Sequence, residues 1–393
     1  MAYLRRGHKK LGFAWNLEKQ LESIASEVKR LEKGRDMLVS VLRRFKGEEI
    51  FDEEIKKAFN DIVESKLAYP SPPADLTGLK VASVDGGLIS RSLRVIDVIA
   101  VRAVAVIFKY EVGGRVSAYY YPEEHPPPKI TFNADPFSQM DFDVSAGLER
   151  LSYELEVAIN VQKQYDIDLL LLDGSLLPQA SDKPYTPGLE AKYLKVLGLF
   201  EKLYRSCVEN GVSLAGVVKD TRSTRFVQLL SSVIPTLVEK NKAFREILSF
   251  DYRLFIRSLL DSELFFRLLD KGERSMILRY SDNPNVHPVL KDVSKDWRDR
   301  FYITYLKPAE LDRPIRVEFL ATGNPTGEVR KVASAIMALS MHHPEYALPS
   351  VQLEAHAQAK LAEKEMDFIC DQLAHKIGIP PSFLKPRDKM LPV

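Results

Sequence analysis

Apolar positions near the start of the chain follow the period of an α-helix. Between residues 17 and 45 they recur at alternating steps of four and three, and only Arg35 interrupts them. The members of this stripe are Leu17, Leu21, Ile24, Val28, Leu31, Leu38, Leu42 and Phe45. Such spacing predicts a long amphipathic helix with a coiled-coil-like face. That face is expected either to pack on its own domain or to contact another protein chain.

The period changes after residues 68–78, where three prolines break any helix. Residues 79–85 (LKVASVD) are a short apolar run, residues 93–111 are a long β-rich run, and residues 115–122 are a third. Gly113 and Gly114 separate the last two runs and are typical of a hairpin turn. We therefore predict an antiparallel meander of three strands, followed by a long irregular loop.

Two further apolar runs surround a predicted helix over about residues 189–210. Residues 167–173 (IDLLLLD) and 213–220 (SLAGVVKD) are apolar on both faces, as strands inside a parallel sheet are. Helical spacing from Leu148 to Ile159 places another helix before them. The resulting order, β-β-β-α-β-α-β, is that of the ribonuclease-H-like fold. We predict an α/β protein with a ribonuclease-H-like mixed sheet, a helical insertion and a long N-terminal helix.

The same patterns predict four segments. Residues 1–68 form an N-terminal helical segment for assembly or packing, and residues 79–225 form the first part of the ribonuclease-H-like core. Residues 226–280 form the helical insertion, and residues 281–393 supply strands and helices that complete the core domain.

Two carboxylates stand at the ends of apolar runs, and a glycine follows each one. Asp85 closes the first run and Asp173 closes the fourth, in VDGG and LDGS. In the predicted topology the first and fourth strands are neighbours, so the two side chains are expected to meet. They would repel each other unless a divalent cation kept both charged. The glycines are expected to let the backbone turn away, although Asp-Gly is also an ordinary turn dipeptide.

Further ligands are expected from two helices. Glu149, Glu154 and Glu156 lie on the helix before the fourth strand, and periodicity does not choose between Glu154 and Glu156. His356 lies on a helix entered through Pro349, which is expected to aim the N-terminus of that helix at the site.

A basic cluster follows the fifth strand. It consists of Lys219, Arg222 and Arg225, with Asp220 among them. Cations grouped at the end of a strand suit a phosphate backbone, and a solvated basic loop is the alternative.

Composition adds few constraints. The formal charge of +2, from 56 basic and 54 acidic residues, neither favours nor excludes nucleic acid. The distant Cys207 and Cys370 do not form a zinc motif and are expected to be buried thiols. The chain shows neither a signal peptide nor a membrane span, so we expect a cytoplasmic protein without membrane contact.

An ordered set of short motifs resembles the archaeal NurA nucleases from residue 79 onward. The set is VASVDGG, the Arg150–Glu154 pair, LLLLDGSLL, GVVKDTRS, LLDKGERS, FYITYL and LPSVQLEAHAQAK. The resemblance implies a deoxyribonuclease that uses manganese or magnesium, with two ions per site. It implies 5′–3′ exonuclease activity, endonuclease activity on single strands and binding to single- and double-stranded DNA. It also implies a homodimer that docks on a hexameric HerA-type ATPase translocase for DNA end resection in recombination repair.

The resemblance also implies site residues. The metal ligands are Asp85, Asp173, a helix glutamate and His356. Glu156 is favoured by its distance from the DGS motif, and Glu154 is the alternative. The family often repeats Tyr-Pro before the histidine helix, but here the sequence is EYALPS, which leaves Tyr346 as the candidate for that role.

Two other functions are compatible with parts of the pattern. Actin-like nucleotide-binding ATPases share the strand order, but they duplicate the whole unit and this chain shows one. A non-catalytic DNA-repair scaffold would use the long helix and would not need the carboxylates.

Overall fold

The computed structural model describes residues 2–93, 96–134 and 137–380, and side chains within those ranges from Leu17 onward. The α-helices are α1 (Ala2–Phe45), α2 (Glu53–Ala58), α3 (Gln139–Gln164), α4 (Pro187–Asn210), α5 (Arg225–Lys240), α6 (Tyr252–Arg257), α7 (Asp261–Leu268), α8 (Lys295–Arg298), α9 (Pro325–Ser340), α10 (Ser350–Ala359) and α11 (Glu363–Ile377). The strands are β1 (Ala68–Pro70), β2 (Lys80–Ser92), β3 (Asp97–Tyr110), β4 (Val116–Tyr121), β5 (Lys129–Asn133), β6 (Leu169–Asp173), β7 (Ser213–Val218), β8 (Glu273–Ser275), β9 (Leu278–Arg279), β10 (Phe301–Lys307) and β11 (Ile315–Leu320).

The strands form one mixed sheet in the order β1-β8-β10-β11-β7-β6-β2-β3-β4, with β5 beside β3 and β9 beside β10. The meander β2-β3-β4 is antiparallel, whereas β2, β6 and β7 run parallel. The first and fourth strands of the predicted core, β2 and β6, are therefore neighbours. The predicted α/β class with its ribonuclease-H-like mixed sheet is confirmed.

Helices cover both faces of the central strands. Alternate residues of β2 point to opposite sides, so Ala82 and Val84 face α3 and α4, whereas Val81 faces α9 and α10. Both layers are apolar, which explains why the central runs read as hydrophobic on both faces. Cys207 lies in the first layer and is buried, as is Cys370.

The meander differs from the prediction in two respects. The strand β2 does not end at Asp85 but continues to Ser92, because the long β3 pairs with its whole length. The segment predicted as an irregular loop contains β5, whose residues pair with the first half of β3. Both differences arise because β3 extends beyond the parallel part of the sheet and leaves backbone groups to be paired.

The apolar stripe of α1 divides into two halves. Leu38 and Leu42 are fully buried in a core cluster with residues of α5, α6 and α7. Leu21 and Ile24, in the preceding turns, are 56% and 59% exposed. The helix is therefore confirmed, and packing within the chain accounts for only its second half.

The segment after β7 begins with helices, as predicted. It contains α5, α6 and α7, and then the short β8 and β9 join the sheet. The strands β10 and β11 extend the same sheet beyond β7. None of the described helices combines the length and apolar character that a membrane span requires.

Candidate metal centre

Asp85 and Asp173 lie side by side at the centre of the sheet. The parallel pairing of β2 with β6 ends at Val84 opposite Leu172, so the two aspartates are the next residues on each strand. His356 approaches from α10. One ligand atom from each of these three side chains lies within 4.8 Å of the others. The structure thus brings Asp85, Asp173 and His356 together.

Glycines next to the aspartates let helices and loops approach closely. A Cβ atom on Gly86 would lie 2.3 Å from Oε1 of Glu154, and one on Gly87 would lie 2.0 Å from the carbonyl oxygen of Ala359. These glycines admit α3 and α10 to the two faces of β2, so the prediction that Gly86 turns the backbone away is wrong. Gly174, with a φ of 127°, does turn the chain after β6.

Each oxygen of the two aspartates has a hydrogen-bond partner. In Asp85, Oδ1 accepts from the backbone N–H of Gly86 at 2.7 Å, and Oδ2 lies 2.7 Å from Nδ1 of His356. In Asp173, Oδ2 accepts from Nζ of Lys219 at 2.8 Å, and Oδ1 accepts from Nε2 of Gln352 at 2.7 Å. Both carboxylates are therefore held in fixed orientations.

Burial makes two of the acidic groups reluctant to ionise. Burial raises the pKa of Asp85, the negative charge of Asp173 raises it further, and His356 partly offsets the rise. Burial also raises the pKa of Glu154 to about 8, and the charge of Arg150 lowers it less than burial raises it. Concentrated negative charge in a buried place is the condition that a bound cation relieves.

The donor set fits a divalent metal ion. Two carboxylates and an imidazole are ligands that Mn²⁺ takes readily, and a purely oxygen set would be more typical of Mg²⁺ or Ca²⁺. Beside them, the fully buried Gln352 has an oxygen, Oε1, without a hydrogen-bond partner among the described protein groups. A buried amide oxygen of this kind is satisfied by water or an ion.

The two candidate glutamates of α3 occupy different surroundings. Glu154 is buried against Gly86, accepts a hydrogen bond from Nη1 of Arg150 at 2.8 Å and feels the charges of both aspartates. Glu156 instead pairs with Lys195 of α4, with 3.1 Å between Nζ and Oε1. The structure brings Glu154, and not the favoured Glu156, to the aspartates. Of the two candidates, Glu154 is the one that lies beside the aspartates, and its role as a ligand stays a prediction.

The other predicted residues lie in three different environments. Lys219 is part of the centre through Asp173. Arg222 is exposed in the loop before α5. Arg225 forms an ion pair with the buried Asp61, at 2.7 Å between Nη2 and Oδ2. Tyr346 is 45% exposed in the loop before α10, and Glu149 pairs with Lys192.

Sequence reasoning missed Gln352. It lies one helical turn before His356 on α10, so the two side chains share a face of that helix. This spacing of four residues was a usable signal, since His356 had already been singled out.

Two comparisons with known proteins include the NurA family. A family model described as the NurA domain matches residues 79–364. The crystal structure of the NurA nuclease from Sulfolobus solfataricus is similar at 14% identity and a TM-score of 0.51, over 91% of this chain and 97% of that one. At this identity the similarity shows the fold.

Two other NurA structures are similar over most of their length. One, bound to dAMP and manganese, has 14% identity and a TM-score of 0.42, over 94% of this chain and 99% of that one. Another, with manganese, has 13% identity and a TM-score of 0.40, over 90% of this chain and 98% of that one. Comparison with curated proteins found no match.

Proposed function

The chain belongs to the NurA family of nucleases, and from this premise we propose that it hydrolyses phosphodiester bonds of DNA with divalent metal ions held at Asp85, Asp173 and His356. The observation that carries the proposal is the meeting of these three side chains at the carboxyl end of the parallel strands. In open α/β sheets this end is where ligands bind.

Manganese is the metal we propose, with magnesium as the substitute, because carboxylate ligands suit both ions and the NurA resemblance implies one of them. Asp85 and Asp173 would hold the ions, His356 would complete one set of ligands, and Glu154 would supply a ligand for a second ion. When bound, such ions supply positive charge to the developing oxyanions and lower the pKa of an attacking water.

The protein groups around the carboxylates have separate tasks. Gly86 and Gln352 orient Asp85 and Asp173 through the hydrogen bonds described above. Lys219 neutralises Asp173 in the metal-free protein and becomes available to a DNA phosphate once that charge is otherwise balanced. Arg150 keeps Glu154 paired inside the fold. The side chain of His356 is 58% exposed, so the centre opens to solvent on this side.

The finer activities and partners rest on the family resemblance. We propose 5′–3′ exonuclease action and endonuclease action on single strands, by a two-metal mechanism. We also propose a homodimer that works in the cytoplasm with a hexameric HerA-type translocase in DNA end resection. The exposed first half of the α1 stripe supports such an assembly, because four large apolar residues stand in solvent there: Leu17, Leu21, Ile24 and Val28.

The test is cleavage of end-labelled single- and double-stranded DNA by Asp85→Asn and Asp173→Asn, with manganese, magnesium or EDTA. Each substitution should abolish metal-dependent cleavage and leave the circular dichroism spectrum unchanged, because it removes a ligand charge at nearly constant volume. Asp166→Asn is the matched control, since Asp166 is fully exposed and its ion-pair partner among the described residues is Lys80, at 3.5 Å.

Near-normal manganese-dependent cleavage by Asp85→Asn would contradict the proposal. ATP hydrolysis without any cleavage by the wild-type protein would favour the actin-like alternative. Full repair function with Asp85→Asn would favour a scaffold.

A further inference from the structure

A second cavity adjoins the segment that follows Asp173. The segment 174–179 separates it from the carboxylates, and Ser175 and Gln179 line the spaces on both sides. The other walls come from the end of β7, the residues after β9 and the strand β11. Those that matter to its chemistry are Val218, Thr221, Tyr280, His287, Arg316 and Glu318.

The floor of this cavity carries one positive and one negative side chain, Arg316 and Glu318, which balance each other. Nε of Arg316 donates to Oε1 of Glu318 at 3.0 Å, and Nη2 forms an ion pair with the same oxygen at 2.9 Å. Oε2 of Glu318 accepts from Oγ of Ser175 at 2.7 Å and from the backbone N–H of Leu176 at 3.0 Å. The Arg316 guanidinium is buried and its charge is balanced by Glu318, so it is not a free cation for a phosphate. A neutral ligand suits it better.

The wall is aromatic and presents hydrogen-bond donors. The ring of Tyr280 lies over the Arg316 guanidinium, 5.3 Å from its carbon, and the His287 ring meets it edge-on at 5.6 Å. Nδ1 of His287 accepts from the backbone N–H groups of Val289 and Leu290, at 3.3 and 3.2 Å. The hydrogen of the neutral ring is therefore on Nε2.

The charge state of the wall is also neutral. Burial lowers the pKa of His287, the charges of Arg225 and Arg316 lower it further, and the charge of Asp282 offsets part of the fall, so the neutral imidazole predominates at pH 7. Burial and the nearby Glu318 raise the pKa of Tyr280 to about 12, so the phenol stays protonated. A flat, neutral heterocycle with hydrogen-bond acceptors matches such a wall, and every nucleobase is one.

The cavity also lies next to the proposed metal centre. Ser175 lies two residues after Asp173, and Thr221 lies two residues after Lys219. The rim of the cavity is therefore formed by the segments that follow β6 and β7. The same segments carry Asp173 and Lys219, which are proposed to bind the metal ions and the scissile phosphate. A strand whose phosphate reached Asp173 would have a neighbouring base near this opening.

We propose that the cavity binds one base of the DNA strand next to the scissile phosphate, and that this contact sets where the strand is cut. The inference rests on the proposed function. It predicts that one position of the substrate matters through its base and not only through its phosphates, whichever base it carries, because stacking tolerates every sequence.

The experiment moves a single abasic site along an end-labelled oligonucleotide and measures kcat/KM with manganese at each position. The proteins are wild type, His287→Asn, which keeps an acceptor for the two backbone amides but lacks the ring, and His343→Asn. His343 is the matched control, because its Nδ1 also accepts a backbone N–H, from Glu345, in an exposed loop away from the cavity.

In the wild type and in His343→Asn, one abasic position should lower kcat/KM by about tenfold or more, the range found for losing one base stack. In His287→Asn, intact DNA should be cut more slowly, and the same abasic position should add no further loss. Binding of the same oligonucleotides in EDTA, followed by fluorescence anisotropy, should show the same position dependence without cleavage.

A flat abasic profile in the wild type, or a profile that His287→Asn leaves intact, would overturn the assignment. Cleavage with a flat profile removes the base site while leaving the nuclease proposal standing. A position-dependent binding profile without cleavage under any metal condition would support the base site and contradict the nuclease proposal.

Discussion

Glu154 and Glu156 lie two positions apart on α3 but face different parts of the molecule. Glu154 touches Gly86 beside the aspartates, whereas Glu156 pairs with Lys195 at the surface. We expect Glu154→Gln to lower manganese-dependent kcat by about a hundredfold or more, since it removes a ligand charge from the centre. Glu156→Gln is the control of identical chemistry and should keep wild-type kcat. The reverse ranking in a cleavage assay would return the ligand role to Glu156.

The buried carboxyl of Glu154 should also make the metal-free protein sensitive to pH. Its pKa of about 8 in the fold exceeds the ordinary value of 4.5, so the folded state holds a proton that the unfolded state releases. The free energy of unfolding should therefore fall as pH rises from 4.5 to 8, by at most about 1.4 kcal/mol per pH unit from this group.

Urea unfolding in EDTA across this pH range measures the effect. Glu154→Gln should flatten the slope and Glu156→Gln should not. The slope is the readout, because the substitution also removes the partner of Arg150 and shifts absolute stability. Parallel slopes in all three proteins would show that Glu154 is ionised in the metal-free fold.

At the scale of elements, the apolar stripe of α1 is buried in its second half and exposed in its first half. Leu38 and Leu42 are fully buried, whereas Leu21 and Val28 are 56% and 50% exposed. Leu38→Ala should lower the free energy of unfolding by about 2–5 kcal/mol, as large-to-small core changes do. Leu21→Glu with Val28→Glu should leave the unfolding temperature unchanged and reduce the mass of the assembly.

Light scattering, with and without a HerA-type partner, separates the two halves. Loss of mass or partner binding without loss of stability supports assembly through the exposed half. A double variant that keeps both its dimer and its partner would assign assembly to another surface.

The basic residues between β7 and the start of α5 differ in their surroundings. Arg222 is exposed, whereas Arg225 forms an ion pair with the buried Asp61. Arg222→Ala should reduce the salt dependence of DNA binding by about one unit of the log–log slope, because one phosphate contact is lost. Arg225→Ala should chiefly lower stability, since it leaves a buried carboxylate unpaired.

Fluorescence anisotropy titrations from low to high salt give the slope, and thermal unfolding gives the stability. Lys219→Ala should affect both DNA binding and cleavage, because Lys219 also contacts Asp173. Unchanged salt slopes for Arg222→Ala and Lys219→Ala would place the DNA elsewhere.

At the scale of the whole molecule, metal binding should be coupled to folding. The ligands come from β2, β6 and α10, which are distant in sequence and meet only in the folded chain. Manganese at a hundred times its dissociation constant should therefore add about 2.7 kcal/mol to the free energy of unfolding. Differential scanning calorimetry should show a higher unfolding temperature for the wild type and little change for Asp173→Asn. An equal shift in both proteins would mean that manganese binds elsewhere.

The sequence by itself determined the order of the core elements, β2-β3-β4-α3-β6-α4-β7, and placed the two aspartates on neighbouring strands. Runs apolar on both faces marked β6 and β7, and a right-handed crossover connection leaves little freedom in where such strands go. The neighbouring positions of Asp85 and Asp173 follow from that order, because register is fixed wherever both faces of a strand are buried. Two of the seven motifs that carry the NurA resemblance, VASVDGG and LLLLDGSLL, contain these aspartates.

Only the tertiary structure decided which side chains complete the centre. Glu154 rather than Glu156 lies beside Gly86 because α3 approaches β2 there, a contact between residues far apart in the chain. Three other features also depend on contacts between distant parts of the chain. Gln352 holds Asp173, Arg225 pairs with Asp61, and only the second half of the α1 stripe is buried. Local periodicity reports which face of an element is apolar, but it does not report what that face meets. Those meetings depend on how the whole sheet and its helices pack.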